Sequence, residues 1–179
     1  MCSVTDDMDM EDCPLMGAHG YCSQEMVHLC LIGKATSNTF DNDKVLDQMT
    51  VLKGIEKRSD IGLLSLFEHY DSIVVGDNLK TPKFPIWLVC AESHFTVLFG
   101  LQLGWERTSM ADRKPIDLFY YDQLSKVQVR IPKVFDTFSS PVFRRRMKYV
   151  FLLFKKCVFE ASLMIANLIL GDEAYIVNY

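Results

Sequence analysis

At 179 residues and 49% hydrophobic content, the chain carries enough apolar material for one core of ordinary size, which excludes disorder throughout. The formal net charge of −4 is unevenly spread, with Asp6, Asp7, Asp9, Glu11 and Asp12 in the first dozen residues and a basic excess from Phe143 onward. No basic stripe interleaved with aromatics precedes Arg144, so nucleic acid is discounted as a partner.

The acidic start is the opposite of a secretory signal, which needs positive charge and then an apolar run. With six widely spaced cysteines, this points to a reduced, intracellular protein, cytoplasmic or nuclear. There is no C-x-x-C pair, and His19, His28, His69 and His94 show no ligand spacing with the cysteines. Neither a metal nor a cofactor is expected.

Residues 1–19 read as an acidic flexible lead. Ser23 is placed to cap a helix over Gln24–Ile32 that Gly33 stops, with Met26, Leu29 and Cys30 as its apolar side and Val27 and Leu31 on the adjoining edge. Residues 33–43 form a polar loop. Ile61, Leu64, Phe67 and Tyr70 recur every third residue and predict a second helix over Ser59–Tyr70, followed by a short strand at Ile73–Val75. Pro82 and Pro85 pre-set an extended entry into Ile86–Cys90 (IWLVC), a strand buried on both faces. Phe95–Phe99 (FTVLF) has the same β-forming chemistry, residues 100–114 are mixed and polar, and Asp117–Asp122 (DLFYYD) joins the same sheet. Beyond Ile131, apolar runs are broken by Arg144, Arg145, Arg146, Lys155, Lys156 and Glu160, which suits a helix with one apolar face and not a membrane span.

His94 is the candidate for chemistry. The bland alternative is a satisfied polar residue near the surface, but it sits in Glu92-Ser93-His94 at the mouth of a strand, where a rigid scaffold would hold it. Asp117 or Asp122 on the next strand could accept from its second ring nitrogen and so orient it as a general base. Cys22, just before a helix N-terminus, and Cys90, at the end of an apolar strand, are the internal candidates for a nucleophile. Cys90 also suits plain core packing.

Four blocks occur in this order: GYCSQEMVHLCLIGKATSNTFD, RSDIGLLSLFEHY, KTPKFPIWLVCAESHFTVLF and DLFYYD. Together they resemble the MINDY family of deubiquitinases, most closely the branch of its third and fourth paralogues, nearer the fourth. The resemblance covers roughly 20–131. It implies the C-terminal part of a papain-like α+β fold, a mixed or antiparallel sheet flanked by helices, and cysteine-dependent cleavage of isopeptide bonds in degradative polyubiquitin. His94 stands at the family's catalytic histidine position. The nucleophile implied by the resemblance lies in a Gly-Pro-Cys-Gly-like loop, with a glutamine a few residues earlier, and neither occurs in this sequence. Cys13 is followed by proline where the motif has glycine, and Cys22 aligns with a non-nucleophilic position. The resulting expectation is an acidic lead at 1–19, the histidine-bearing half of a catalytic domain at 20–131 and a divergent helical tail at 132–179. Such a chain would lack turnover on its own. The alternative is a non-catalytic protein that binds ubiquitin or polyubiquitin as a scaffold.

Overall fold

A computed structural model describes residues 4–10, 12–68, 70–91, 94–101, 116–124, 126–134 and 175–177. Helix α1 spans Gln24–Ile32 as the sequence predicts. The Ser23 hydroxyl accepts from the Met26 amide at 3.2 Å, and Gly33, at φ 73°, donates its amide to the Leu29 carbonyl at 3.0 Å. The inward face differs from the expected one. Val27, Leu31 and Ile32 pack on the core while Cys30 is exposed, and the side chain buried completely is His28.

After α1 come a small antiparallel hairpin, β1 (Lys44–Val45) and β2 (Val51–Leu52), and then strand β3 (Gly62–Ser65). The expected helix over Ser59–Tyr70 is therefore replaced by β3 and one 3-10 turn at Leu66–Glu68, while His69 lies outside the described residues. Two non-local contacts decide this. The Ser59 amide and hydroxyl both donate to the Asn78 carbonyl instead of capping a helix. Gly62 lies so close to Trp87 that an added Cβ would stand 2.4 Å from the indole Cδ1. The strand expected at Ile73–Val75 is not formed, and these residues join no ladder: the Val75 amide donates to the Glu68 carboxylate, and the Val74 carbonyl accepts from the Thr39 hydroxyl.

A short helix α2 (Asp77–Lys80) leads to β4 (Ile86–Ala91), β5 (His94–Gly100), β6 (Ile116–Asp122), β7 (Val127–Val134) and β8 (Tyr175–Val177). These build one six-stranded sheet in the order β3-β4-β5-β6-β7-β8, with β3 parallel to β4 and every other pairing antiparallel. The architecture is α+β, with a mostly antiparallel sheet and few helices. Most of 100–114 and the stretch between Val134 and Tyr175, where a helix was expected, lie outside the described residues. No helix among the described residues is long and apolar enough to cross a membrane.

Register sorts the side chains. Trp87 opposes Leu98, Val89 opposes Thr96 and Ala91 opposes His94, so these six share one face. On that face Trp87, Val89, Thr96 and Leu98 are buried. Leu88, Cys90, Phe95, Val97 and Phe99 take the other face. There Leu88, Cys90 and Leu63 meet Ile55, Val75, Leu79 and the inward side of α1. The Trp87 indole donates to the Lys80 carbonyl at 2.8 Å, and the buried Lys80 ammonium pairs with Glu68 at 2.5 Å, tying β4 to the crossover from β3.

The lead expected to be flexible is tied down. Met8 is buried, the Asp9 amide donates to the Ser37 hydroxyl at 3.0 Å, and the Asp9 carboxylate accepts from Asn38 at 2.6 Å and from the Lys53 amide at 2.8 Å.

His28 carries a pH dependence. Its Nδ1 donates to the Thr36 carbonyl, while its buried Nε2 has no hydrogen-bond partner among the described residues. Burial pushes the imidazole below its usual value, against smaller opposing effects of the Thr36 bond and the Glu25 charge. The folded state thus holds His28 neutral, and the unfolded chain takes the proton first as pH falls. Chemical denaturation should show stability intact above the ordinary histidine value of about 6.5 and declining below it. His28→Gln should remove that component of the decline.

Candidate active site

His94 opens β5 directly opposite Ala91, the last residue of β4. The next strand brings a carboxylate: β6 pairs with β5 through Val97 and Tyr121, so Asp122 lies one residue further toward the His94 end. His94 Nε2 stands 3.0 Å from Asp122 Oδ1, with the imidazole 30% exposed and the carboxylate 6% exposed. The same Oδ1 accepts from the Leu124 amide at 2.9 Å, which braces the carboxylate from the β6–β7 turn. At 3.0 Å the carboxylate stands where it can accept from an Nε2–H, the tautomer in which the Nδ1 lone pair is left to receive a proton.

The second carboxylate goes elsewhere. Asp117 lies on the other face of β6, where its Oδ2 is 2.5 Å from Arg130 Nη2 on β7. Of the two sequence candidates, Asp122 is brought to His94 and Asp117 is not.

The thiols are also placed away from the imidazole. Cys90 opposes Phe95, so its side chain leaves the sheet on the face opposite His94. Burial pushes the Cys90 thiol up to about 11, against a smaller opposing effect of its hydrogen bond with Ser65. It is therefore protonated near neutral pH and behaves as a core residue. Cys22 is exposed just ahead of the Ser23 cap, and it lines a cavity of about 230 Å³ together with Cys90, Phe95 and Val27. That cavity lies on the α1 side of the sheet. Cys30 sits on α1 itself, and Cys13 belongs to the segment that bridges to Cys22 through Met16. Cys2 and Cys157 lie outside the described residues, as do Glu92 and Ser93. Neither internal candidate for the nucleophile shares a face with His94. This parity was available from sequence: if residues 91 and 94 pair across a two-residue turn, 90 and 94 point to opposite faces. The Leu124 amide was not, because its role depends on the turn after β6. Among the described residues, no group of three or more His, Cys, Asp or Glu side chains is disposed to hold a metal.

The Asp122 bond has a direct signature. Long-range ¹H–¹⁵N NMR of the imidazole should show His94 as the Nε2–H tautomer, and Asp122→Ala should mix the tautomers and shift the Leu124 amide resonance. A His94 spectrum unchanged by that substitution would contradict the geometry.

Residues 1–145 match the family model described as deubiquitinating enzyme MINDY-3/4, conserved domain, so the match takes in the acidic lead and runs past Ile131. The chain is 54% identical over 138 residues to the probable ubiquitin carboxyl-terminal hydrolase MINDY-4 of Bos taurus and 51% identical over 138 residues to that of Homo sapiens. Each of these alignments covers 75% of this chain and 18% of the relative. Likeness to the ubiquitin carboxyl-terminal hydrolase MINDY-3 of Xenopus tropicalis is lower, 38% over 103 residues, covering 57% of this chain and 23% of that protein. The chain thus spans less than a fifth of the length of the MINDY-4 relatives it matches. No solved structure matches. With a family model that matches most of its length, the chain belongs to the MINDY-3/4 family of deubiquitinating enzymes.

Proposed function

We propose that this chain is the histidine-bearing half of a papain-like, thiol-dependent ubiquitin isopeptidase that trims degradative polyubiquitin inside the cell, with 20–131 as the catalytic half-domain and 132–179 as a divergent tail. The single observation that carries the reading is the His94–Asp122 pair, whose Nε2 contact leaves Nδ1 for proton transfer. In this reading a cysteine thiol from outside the chain loses its proton to His94 Nδ1. The thiolate then attacks the isopeptide carbonyl carbon, the C–N bond breaks, and the imidazolium returns the proton to the leaving lysine amine. Water, deprotonated by the same Nδ1, hydrolyses the thioester. In this reading Asp122 acts on the imidazole alone, as a positioning residue.

Because Cys22 and Cys90 lie on the far side of the sheet from His94, the chain alone should show no turnover. The same arrangement favours a second reading, that alone it binds ubiquitin without cleaving it. Incubation with polyubiquitin of defined linkage, and with ubiquitin carrying a thiol-reactive electrophile at its C-terminus, separates the outcomes. No cleavage and no adduct, with retention on ubiquitin beads, is the expected result. Turnover abolished by His94→Ala would overturn the claim of inactivity. In a longer family polypeptide that supplies the nucleophile, loss of His94 should lower turnover by a factor on the order of 10⁶.

A further inference from the structure

The most conspicuous apolar surface among the described residues is on the β1–β2 hairpin, which contributes no residue to the His94–Asp122 pair. Every residue from 42 to 51 is exposed, and the apolar ones are exposed heavily: Val45 at 73%, Leu46 at 62%, Met49 at 95% and Val51 at 45%. Single exposed apolar side chains are ordinary, but four on one short hairpin form a patch of the kind that marks protein interaction.

The hairpin is also built to hold its shape. Asp47 Oδ1 accepts from the amides of Met49 and Thr50, both at 2.8 Å, and the Leu46 amide donates to the Thr50 carbonyl at 3.0 Å. At the base, the Asp43 carboxylate accepts from the Gly54 amide, and the Asn42 amide donates to the Ile55 carbonyl. A braced turn with an apolar tip loses little conformational freedom on binding.

Its charges indicate the partner. The two lysines turn back onto the chain: Lys44 sits over the Phe40 ring at 3.9 Å, and Lys53 reaches the Asp6 carbonyl. The acids lie mostly at the foot of the hairpin: Asp43 accepts from Gly54 at the base, the docked lead brings Asp6 and Asp9 to Lys53 just after β2, and Asp47 stands in the turn. An apolar tip rising from an acidic base fits an aliphatic patch bordered by lysine and arginine. We propose that the β1–β2 hairpin is a docking finger that seats Leu46 and Met49 on the aliphatic, basic-rimmed surface of ubiquitin. The choice of ubiquitin rests on the function proposed above, whereas the finger and the chemistry of its partner surface stand on the hairpin.

Titrating ¹⁵N-labelled ubiquitin with the full chain tests this. The wild-type chain should perturb resonances of the aliphatic patch and its basic rim, and the contact should weaken as salt rises from about 0.05 to about 0.3 M. The double variant Leu46→Ser, Met49→Ser should bind at least about tenfold more weakly. Leu101→Ser, exposed elsewhere at 71%, should bind as the wild type does. All three substitutions fall on exposed side chains, and matching circular dichroism and melting curves would verify that folding is retained. Equal binding by the wild type and the double variant, or perturbation of a different ubiquitin surface, overturns the finger while leaving the role of His94 intact. No binding by the wild-type chain overturns both the finger and the choice of ubiquitin.

Discussion

Ala91 opposes His94 across the β4–β5 hairpin, and that one pairing settles what the imidazole can reach. Directly opposed residues of adjacent strands leave the sheet on the same side, so His94 inherits the face of Trp87, Val89 and Ala91 and is barred from the face of Cys90. A slip of one residue would exchange the two faces. Burial of Trp87 and Val89 makes that slip costly, because it would carry the largest fully buried side chain of the described residues onto the opposite face.

The remainder of the fold supports that register. Gly62 allows β3 to approach Trp87, the indole is held by the Lys80 carbonyl, and Lys80 is held by Glu68 from the turn after β3. On the other side β6 supplies Asp122, and the turn after β6 supplies the Leu124 amide that steadies it. A histidine beside a buried carboxylate that a backbone amide braces is held in place by its scaffold. The face bearing α1, Cys22 and the cavity forms a separate environment, where burial holds the Cys90 thiol in its neutral form.

What was legible in the sequence was chemistry acting over a few residues. Ser23 and Gly33 bound α1 because a hydroxyl at the N-cap and a left-handed residue after the last turn act on their own helix. The dense apolar runs around His94 read as strands for the same reason. Residues 59–70 misled because a three-residue recurrence in a short apolar segment fits a helix, while its fate was set by Asn78 and Trp87 at a distance. The choice between Asp117 and Asp122 could not be made before the β5–β6 register was known, since the two residues lie on opposite faces of one strand. The acidic lead looked solvated by composition, yet Asp9 has three hydrogen-bonding partners that come from the loop after α1 and the end of β2. The inward face of α1 was misplaced because the Thr36 carbonyl draws in a histidine.

The separation of His94 from the thiols on the α1 side decides what the imidazole can activate. The most direct measurement is the pH dependence of alkylation at each cysteine, resolved by mass spectrometry, in the wild-type chain and in His94→Ala. Cys22 should react with the same pH profile in both proteins, and Cys90 should react slowly in both because its thiol is held near 11. A cysteine whose reactivity near neutral pH collapses on loss of His94 would contradict the account and would identify the nucleophile within this chain.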